Sequence, residues 1–256
     1  FDSPDASAVL ELAGVENFPA VPLKFGGHVQ KAQNRLNISE FAAEFQNNRT
    51  ELSGTLNLSE GFSGSELTVS LDVADMDKLG QLFDTPGLPP QPLTLSGTLE
   101  LEGKGLAFRV DQSELGNIRL KMNGRVADLD NPLGVDAEFD VSLPGLDPLS
   151  AILPDLAWPP GEFNASGRLK NGLRSTRLED VHMELGDVRA TVTGNLLHDN
   201  SFDLDVSMQG PDATIFSELL GHPLEAKPFT LDTGLNGNPA ELSLEELLLN
   251  LGESRV

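Results

Sequence analysis

The chain has 256 residues, of which 39% are apolar and 5% aromatic, and its 40 acidic and 17 basic side chains give a net charge of −23. This negative charge argues against nucleic acid as a partner and against direct adsorption to anionic lipid headgroups. The absence of cysteine excludes a disulfide framework, a thiolate zinc site and a cysteine nucleophile. No apolar run approaches the ~18 residues of a membrane-spanning helix. We therefore expect membrane contact only through segments missing from this sequence, which we interpret as a fragment of a longer protein.

A glycine-containing phrase recurs about every 70 residues along the chain. The first set of glycines is Gly27, Gly97, Gly167 and Gly234, and the second set is Gly54, Gly124 and Gly194. A fixed period of this size predicts one elongated repeat array over residues 1–256. The predicted repeats are 1–73, 74–143, 144–210 and an incomplete 211–256.

Each repeat is predicted to contain a short helix followed by about four antiparallel strands. The predicted helices are Ala6–Ala13, Asp75–Phe83, Pro148–Leu153 and Ala213–Leu220. Asp75 is a candidate N-cap for the second of these helices. Apolar and polar residues alternate in the segments after the helices, which is typical of strands buried on one face. In the second repeat these strands cover 93–101, 106–110, 118–126 and 135–143; in the third they cover 163–170, 178–185, 188–197 and 202–208.

Both sets of glycines fall on the apolar face of their predicted strands. Glycine within a strand often marks a bulge, a bend or the close approach of another backbone. We therefore predict that all seven glycines allow the sheet to bend sharply. An ordinary two-sheet sandwich array remains an alternative to this curved sheet.

The residue types needed for catalysis or metal binding do not form a recognisable site. No two of the four histidines have metal-ligand spacing, and the nucleophile-elbow and phosphate-loop motifs are missing. Asp128–Asn131 is interpreted as a hairpin turn rather than a calcium loop, because the rest of the calcium-loop pattern is missing. Asp136, Glu138 and Asp140 alternate along one strand and are expected to face solvent, and Trp158 is expected to anchor a loop. We expect a protein that is not an enzyme and has no cofactor and no metal.

A recurring phrase resembles the AsmA-like family of Gram-negative envelope proteins. Residues 215–234 look like the family's run of a helix, a "G-x-P-L" element and "P-F-x-L-x-G", and residues 79–97 repeat the phrase. Residues 52–56 and 192–196 are similar to the family's later "L-x-G-x-L" strand. The resemblance covers essentially the whole chain. It implies a mainly β fold, with antiparallel strands and short helices forming a U-shaped groove, the β-taco, whose concave face is apolar.

The resemblance also implies a function and a location. The family is associated with moving phospholipids through the periplasm towards the outer membrane, tethered to the inner membrane, and has no catalytic residues to transfer. The expected ligand is a phospholipid or another acyl-chain lipid, and a second candidate partner is an outer-membrane protein. The expected lipid-binding floor consists of Leu93, Leu95, Leu99, Leu101, Leu106, Phe108, Val110, Ile118, Leu120, Met122, Val126, Val135, Phe139, Val141, Phe163, Leu169, Met183, Leu185, Val192, Phe202, Leu204 and Val206.

Two other functions are compatible with the pattern. The first is a non-catalytic periplasmic scaffold for outer-membrane protein assembly, whose sheet would enclose a dry interior filled by its own side chains. The second is a polysaccharide lyase or hydrolase on a β-solenoid, which would require acidic groups that converge in a cleft.

Overall fold

The computed structural model describes residues 2–7, 20–58, 62–82, 85, 87–129, 134–146, 159–172, 174–217, 222–238, 241–252 and 254–255. The chain divides into two compact units, residues 1–130 and 131–256. The division falls inside the predicted second repeat. Both units are mainly β, as the sequence predicted.

The first unit contains eight of the described strands, and each pairs antiparallel with the next along the chain. They are β1 (Asp2–Ser3), β2 (Leu23–Ala32), β3 (Arg35–Phe45), β4 (Asn48–Asn57), β5 (Ser65–Val73), β6 (Leu93–Glu102), β7 (Gly105–Leu115) and β8 (Ile118–Val126). One α-helix, α1 (Met76–Leu82), lies in the connection between β5 and β6.

The second unit has the same kind of open antiparallel sheet, again in chain order. Its described strands are β9 (Val135–Leu143), β10 (Phe163–Asn171), β11 (Ser175–Leu185), β12 (Val188–Leu197), β13 (Phe202–Gly210), β14 (Phe229–Asn238), β15 (Glu241–Leu251) and β16 (Ser254–Arg255). A 3-10 helix, Ala213–Phe216, lies between β13 and β14.

The two ends of the strands in each unit carry different connections. At one end, here called the helix end, lie the long connections 74–92 in the first unit and 144–162 and 211–228 in the second. At the other end, the hairpin end, shorter connections such as 103–104, 172–174 and 198–201 join the strands. The long connections carry the described helices.

Helix α1 has the N-cap that the sequence predicted. The Asp75 Oδ1 atom accepts hydrogen bonds from the backbone N–H groups of Asp77 (3.1 Å) and Lys78 (3.3 Å). A hydrogen bond from the Lys78 side chain lowers the pKa of the Asp75 carboxyl. The cap therefore satisfies two backbone donors that a helix start leaves without partners.

The other predicted helices are described only in part. Residues 6 and 7 are helical, and Ala213–Phe216 is a 3-10 helix capped by the carboxylate of Asp212. The remaining residues of the first and fourth predicted helices, all of Pro148–Leu153, and Trp158 lie outside the described residues.

Regular alternation is interrupted by a bulge in β3, β7, β11 and β15. In β7, for example, Val110 pairs with Met122 and Ser113 pairs with Leu120, so β7 has one residue more than β8 between the two pairs. The prediction that this strand ends at Val110 was therefore wrong, because β7 continues to Leu115 with its alternation shifted by one residue. A bulge has this effect because its extra residue is left unpaired.

Most of the buried apolar residues lie at or near the helix end. In the first unit, Ala6, Val21 and Leu23 form a buried cluster. In the second unit, Val188, Ala213 and Phe229 form another, and the ring of Phe216 packs edge-on against Phe229 with centroids 5.5 Å apart. None of the described helices has the length and apolar character needed to cross a membrane.

Candidate functional site

In the first unit, strand register places apolar residues directly opposite one another. Leu99 of β6 faces Leu67 on β5 and Phe108 on β7, and Phe108 in turn faces Gly124 on β8. Residues directly opposite in an antiparallel pair lie on the same side of the sheet. The register and alternation therefore bring together, on one side, Leu93, Leu95, Leu99, Leu101, Leu106, Phe108, Val110, Ile118, Leu120, Met122 and Val126.

The second unit follows the same rule. Val192 of β12 faces Val181 on β11 and Val206 on β13, and Val141 of β9 faces Ala165 on β10. Here one side carries the other predicted floor residues: Val135, Phe139, Val141, Phe163, Leu169, Met183, Leu185, Val192, Phe202, Leu204 and Val206. In each unit, this side of the sheet is called the apolar side below, and the opposite side the polar side.

Most of these side chains are only half-buried. Leu185 and Val192 are buried, whereas the other twenty predicted floor residues have intermediate exposure. In β8 the apolar residues are half-buried and the intervening Arg119, Lys121, Asn123 and Arg125 are exposed. Apolar surface left in water costs about 25 cal/mol per Å². Covering this side with an apolar ligand would therefore lower the free energy of the complex.

Close backbone approach accounts for several of the predicted glycines. A side chain at Gly54, Gly97 or Gly194 would come closer than 3.0 Å to the backbone oxygen of Glu66, Arg109 or Asp203, respectively. A Cβ at Gly27 or Gly167 would approach the Cα of Phe41 or Val181 within 3.0 Å. Gly124 faces Phe108 from the same side of the sheet. The role of these glycines in bending the sheet stays a prediction.

Gly234 differs from the other glycines, and its predicted place on the apolar side was wrong. It pairs with Asp205 and therefore lies on the polar side. Thr233 occupies the apolar side, opposite Val206. The Thr233 hydroxyl donates hydrogen bonds to backbone oxygens, including that of Glu245 at 3.1 Å, which lets a polar residue be buried at this position.

The apolar side includes residues that were not among the predicted floor positions. Individual strands were not predicted for most of the first repeat. Beyond a bulge, the apolar residues no longer follow the alternation of the preceding part of the strand. Register adds, among others, Phe25, Ile38, Leu52, Leu67, Val69, Leu71, Leu115, Val188, Leu196, Met208, Leu231 and Leu235. The period-2 signal alone identifies several of them, such as Leu67, Val69 and Leu71.

On the polar side of the second unit, charged residues form ion pairs across strands. Asp136 on β9 accepts two hydrogen bonds from Arg168 on β10, at 2.6 and 2.7 Å. The Nζ of Lys170 lies 2.8 Å from Glu179 on β11. The hydrogen bond that Arg168 donates to Asp136 raises the pKa of Arg168, and the hydrogen bond that Lys170 donates to Glu179 lowers the pKa of Glu179.

Three surface depressions are lined mainly by residues of the polar side. One of about 300 Å³ is lined by Thr191, Thr193 and Ser207 together with carboxylates of Asp205 and Asp232. Within the described ranges, no group of three or more histidine and acidic side chains is arranged to hold a metal ion. The Nδ1 atom of His182 lies 3.3 Å from the Oγ1 atom of Thr191. The Nε2 atom of His198 lies 3.2 Å from the Oδ1 atom of Asn171.

Comparison with known proteins gives no match for this chain among family models, curated proteins or solved structures. The resemblance to the AsmA-like family therefore stays a prediction.

Proposed function

We propose that this chain is part of an AsmA-like bridge protein that transfers phospholipid between membranes. In this proposal the apolar side of the sheet is the floor of a U-shaped groove, and acyl chains move along it. The groove lies in the periplasm, with the full-length protein tethered to the inner membrane and delivering lipid towards the outer membrane. The transfer supports outer-membrane homeostasis and requires no catalytic residue.

The observation that carries the proposal is the continuity of the apolar side within each unit. From β2 to β8, and again from β9 to β15, apolar residues recur on one side of every strand. Strands are about 4.8 Å apart, so seven strands provide a path of about 30 Å. This length is comparable to the hydrocarbon thickness of a bilayer, about 30 Å.

Partial exposure favours a lipid groove over a scaffold with a dry interior. A scaffold would fill the space over the apolar side with its own side chains, whereas twenty of the predicted floor residues keep exposed surface. Each CH₂ group moved from water to an apolar surface contributes roughly 0.8 kcal/mol. An open path of this kind covers acyl chains while it leaves charged headgroups in water.

The proposal is tested by comparing neighbouring residues on opposite sides of β8. Leu120 lies on the apolar side and is half-buried, whereas Arg119 is exposed on the polar side. We expect Leu120→Asp to weaken binding of a fluorescent phosphatidylethanolamine at least about tenfold, since a carboxylate among acyl chains is costly to desolvate. Arg119→Asp introduces the same group and is expected to leave the affinity within about twofold.

Circular dichroism of both variants checks that the fold is retained. Equal affinities of the two folded variants, or no lipid binding by the unchanged chain, would contradict the proposal. The second result would favour the scaffold.

A further inference from the structure

In the second unit, the apolar side is buried at one end and exposed to solvent at the other. At the helix end, Leu185, Val188 and Phe229 are only 9%, 6% and 6% exposed. At the hairpin end, Leu196 and Leu244 are 39% and 53% exposed. Apart from the small Ala137, the buried apolar residues of these strands lie towards the helix end or in the middle. The hairpin end is therefore where an acyl chain finds uncovered apolar surface.

Two adjoining hairpins form the rim of this open region. The backbone N–H of His198, after β12, donates a hydrogen bond to the backbone oxygen of Arg174, between β10 and β11, at 3.1 Å. The Nε2 of His198 also lies 3.2 Å from the Oδ1 atom of Asn171. These contacts hold the connections 172–174 and 198–201 side by side. Arg174 is thus fixed through its backbone at the rim.

The basic groups at this rim differ in how their charge is balanced. Lys170 and Arg177 both lie near the carboxylate of Glu179, at 2.8 and 3.5 Å. Arg174 is exposed, and its side chain forms no hydrogen bond or ion pair with any residue in the described part of the chain. In a chain with a net charge of −23, this guanidinium is a local site of positive charge.

Among the described residues, no acidic group of the hairpin end forms an ion pair with Arg174. The two carboxylate oxygens of Asp136 accept hydrogen bonds from the Nε and Nη2 atoms of Arg168. Asp199 accepts hydrogen bonds from the backbone and the hydroxyl of Ser201. Asp203 lies on the polar side, one strand further along, opposite Asn195.

We propose that the hairpin end of the second unit is an entry site for a phospholipid, with the lipid phosphate bound by Arg174. The acyl chain lies on the neighbouring half-exposed residues of the apolar side, namely Leu178, Leu196, Phe202 and Leu204. Guanidinium forms paired, charge-assisted hydrogen bonds with phosphate oxygens. This inference rests on the proposed function, and adds to it that the ligand's phosphate is recognised at a defined place.

The test uses the 256-residue chain and two photoactivatable probes with identical diazirine-bearing acyl chains, a phosphatidylethanolamine and a diacylglycerol without phosphate. We expect Arg174→Gln to reduce labelling by the phospholipid about two- to fivefold, the loss expected for one exposed charge pair. Labelling by the diacylglycerol should not change. Arg189→Gln is the control for loss of a positive charge, because Arg189 is an exposed arginine at the helix end of β12, where it pairs with Glu184.

Peptide mapping of the adducts gives a second, independent readout. Adducts concentrated on the hairpin-end halves of β11, β12 and β13 support the inference. Adducts concentrated at the helix end, or equal phospholipid labelling of the unchanged chain and Arg174→Gln, would overturn it and leave the lipid groove standing. Failure of both probes to label the unchanged chain would instead overturn the proposed function.

Discussion

At the scale of single residues, some positions require glycine because the backbone of the neighbouring strand leaves no room for a Cβ atom. Gly97 has the backbone of Arg109 so close that a Cβ would fall inside the closest approach seen between real atoms. Gly26, in contrast, has nothing within 4 Å of the position of a Cβ. Neither residue has a left-handed backbone conformation. The two positions therefore separate the effect of packing from the effect of backbone strain.

We predict that Gly97→Ala destabilises the first unit and Gly26→Ala does not. The backbone oxygen of Arg109 is part of the β6–β7 pairing and has little freedom to move, so the methyl group forces a shift costing more than about 2 kcal/mol. For Gly26→Ala we expect a change within about 0.5 kcal/mol, as for other surface substitutions. Urea unfolding followed by circular dichroism measures both, and equal unfolding midpoints would contradict the packing explanation.

The period of the glycines is visible in the sequence. The side of the sheet on which each glycine lies was not predicted correctly for all of them. The fourth glycine of the first set, Gly234, comes 67 residues after Gly167 instead of 70. Because side chains alternate between the two sides, a slip of one residue relative to Phe229 moves it to the polar side. The spacing from one glycine to the next does not reveal such a slip. The slip becomes visible when the position of each glycine is counted from the first residue of its strand.

At the scale of elements, the strands after each helix were predicted well where alternation is unbroken. The prediction for β12, residues 188–197, agrees with the structure to the residue, and β10 and β13 differ only at their carboxyl ends. β11 was predicted to begin at Leu178 but begins at Ser175, since the bulge at Glu179–Asp180 changes the phase of alternation. Bulges leave no simple mark in a single sequence, so strand length was underestimated where they occur.

We predict that the ion pairs of β9, β10 and β11 make the second unit sensitive to acid. The pKa of Glu179 is lowered in the folded protein by its hydrogen bond with Lys170. A lowered folded-state pKa gives stability that is present above the unfolded pKa, about 4.3, and is lost as the pH falls through the folded value. The melting temperature of the unchanged chain should therefore fall more steeply between pH 5 and pH 3 than that of Glu179→Gln.

Glu102→Gln, which removes one exposed carboxylate from β6 in the first unit, is the control for the change in net charge. Its profile should follow that of the unchanged chain. Parallel melting profiles for Glu179→Gln and the unchanged chain across this range would contradict the assignment of the acid sensitivity to Glu179.

At the scale of the whole molecule, the sequence predicted a mainly β protein of antiparallel strands and short helices, and this part of the prediction is confirmed. Low aromatic content and leucines at every second position favour a sheet with one apolar side over a compact core, and register brings those leucines together. What covers that side could not be predicted, because alternation gives the same pattern for a groove that holds lipid and for an interior filled by protein.

The most direct test of the lipid groove places p-benzoylphenylalanine at Leu120 or at Arg119 and identifies the photoadducts formed in the envelope of a Gram-negative cell. The two positions are adjacent on β8 but lie on opposite sides of the sheet. We predict phospholipid adducts at position 120 and none at position 119. Protein-only adducts at position 120, or lipid adducts of equal yield at both positions, would contradict it.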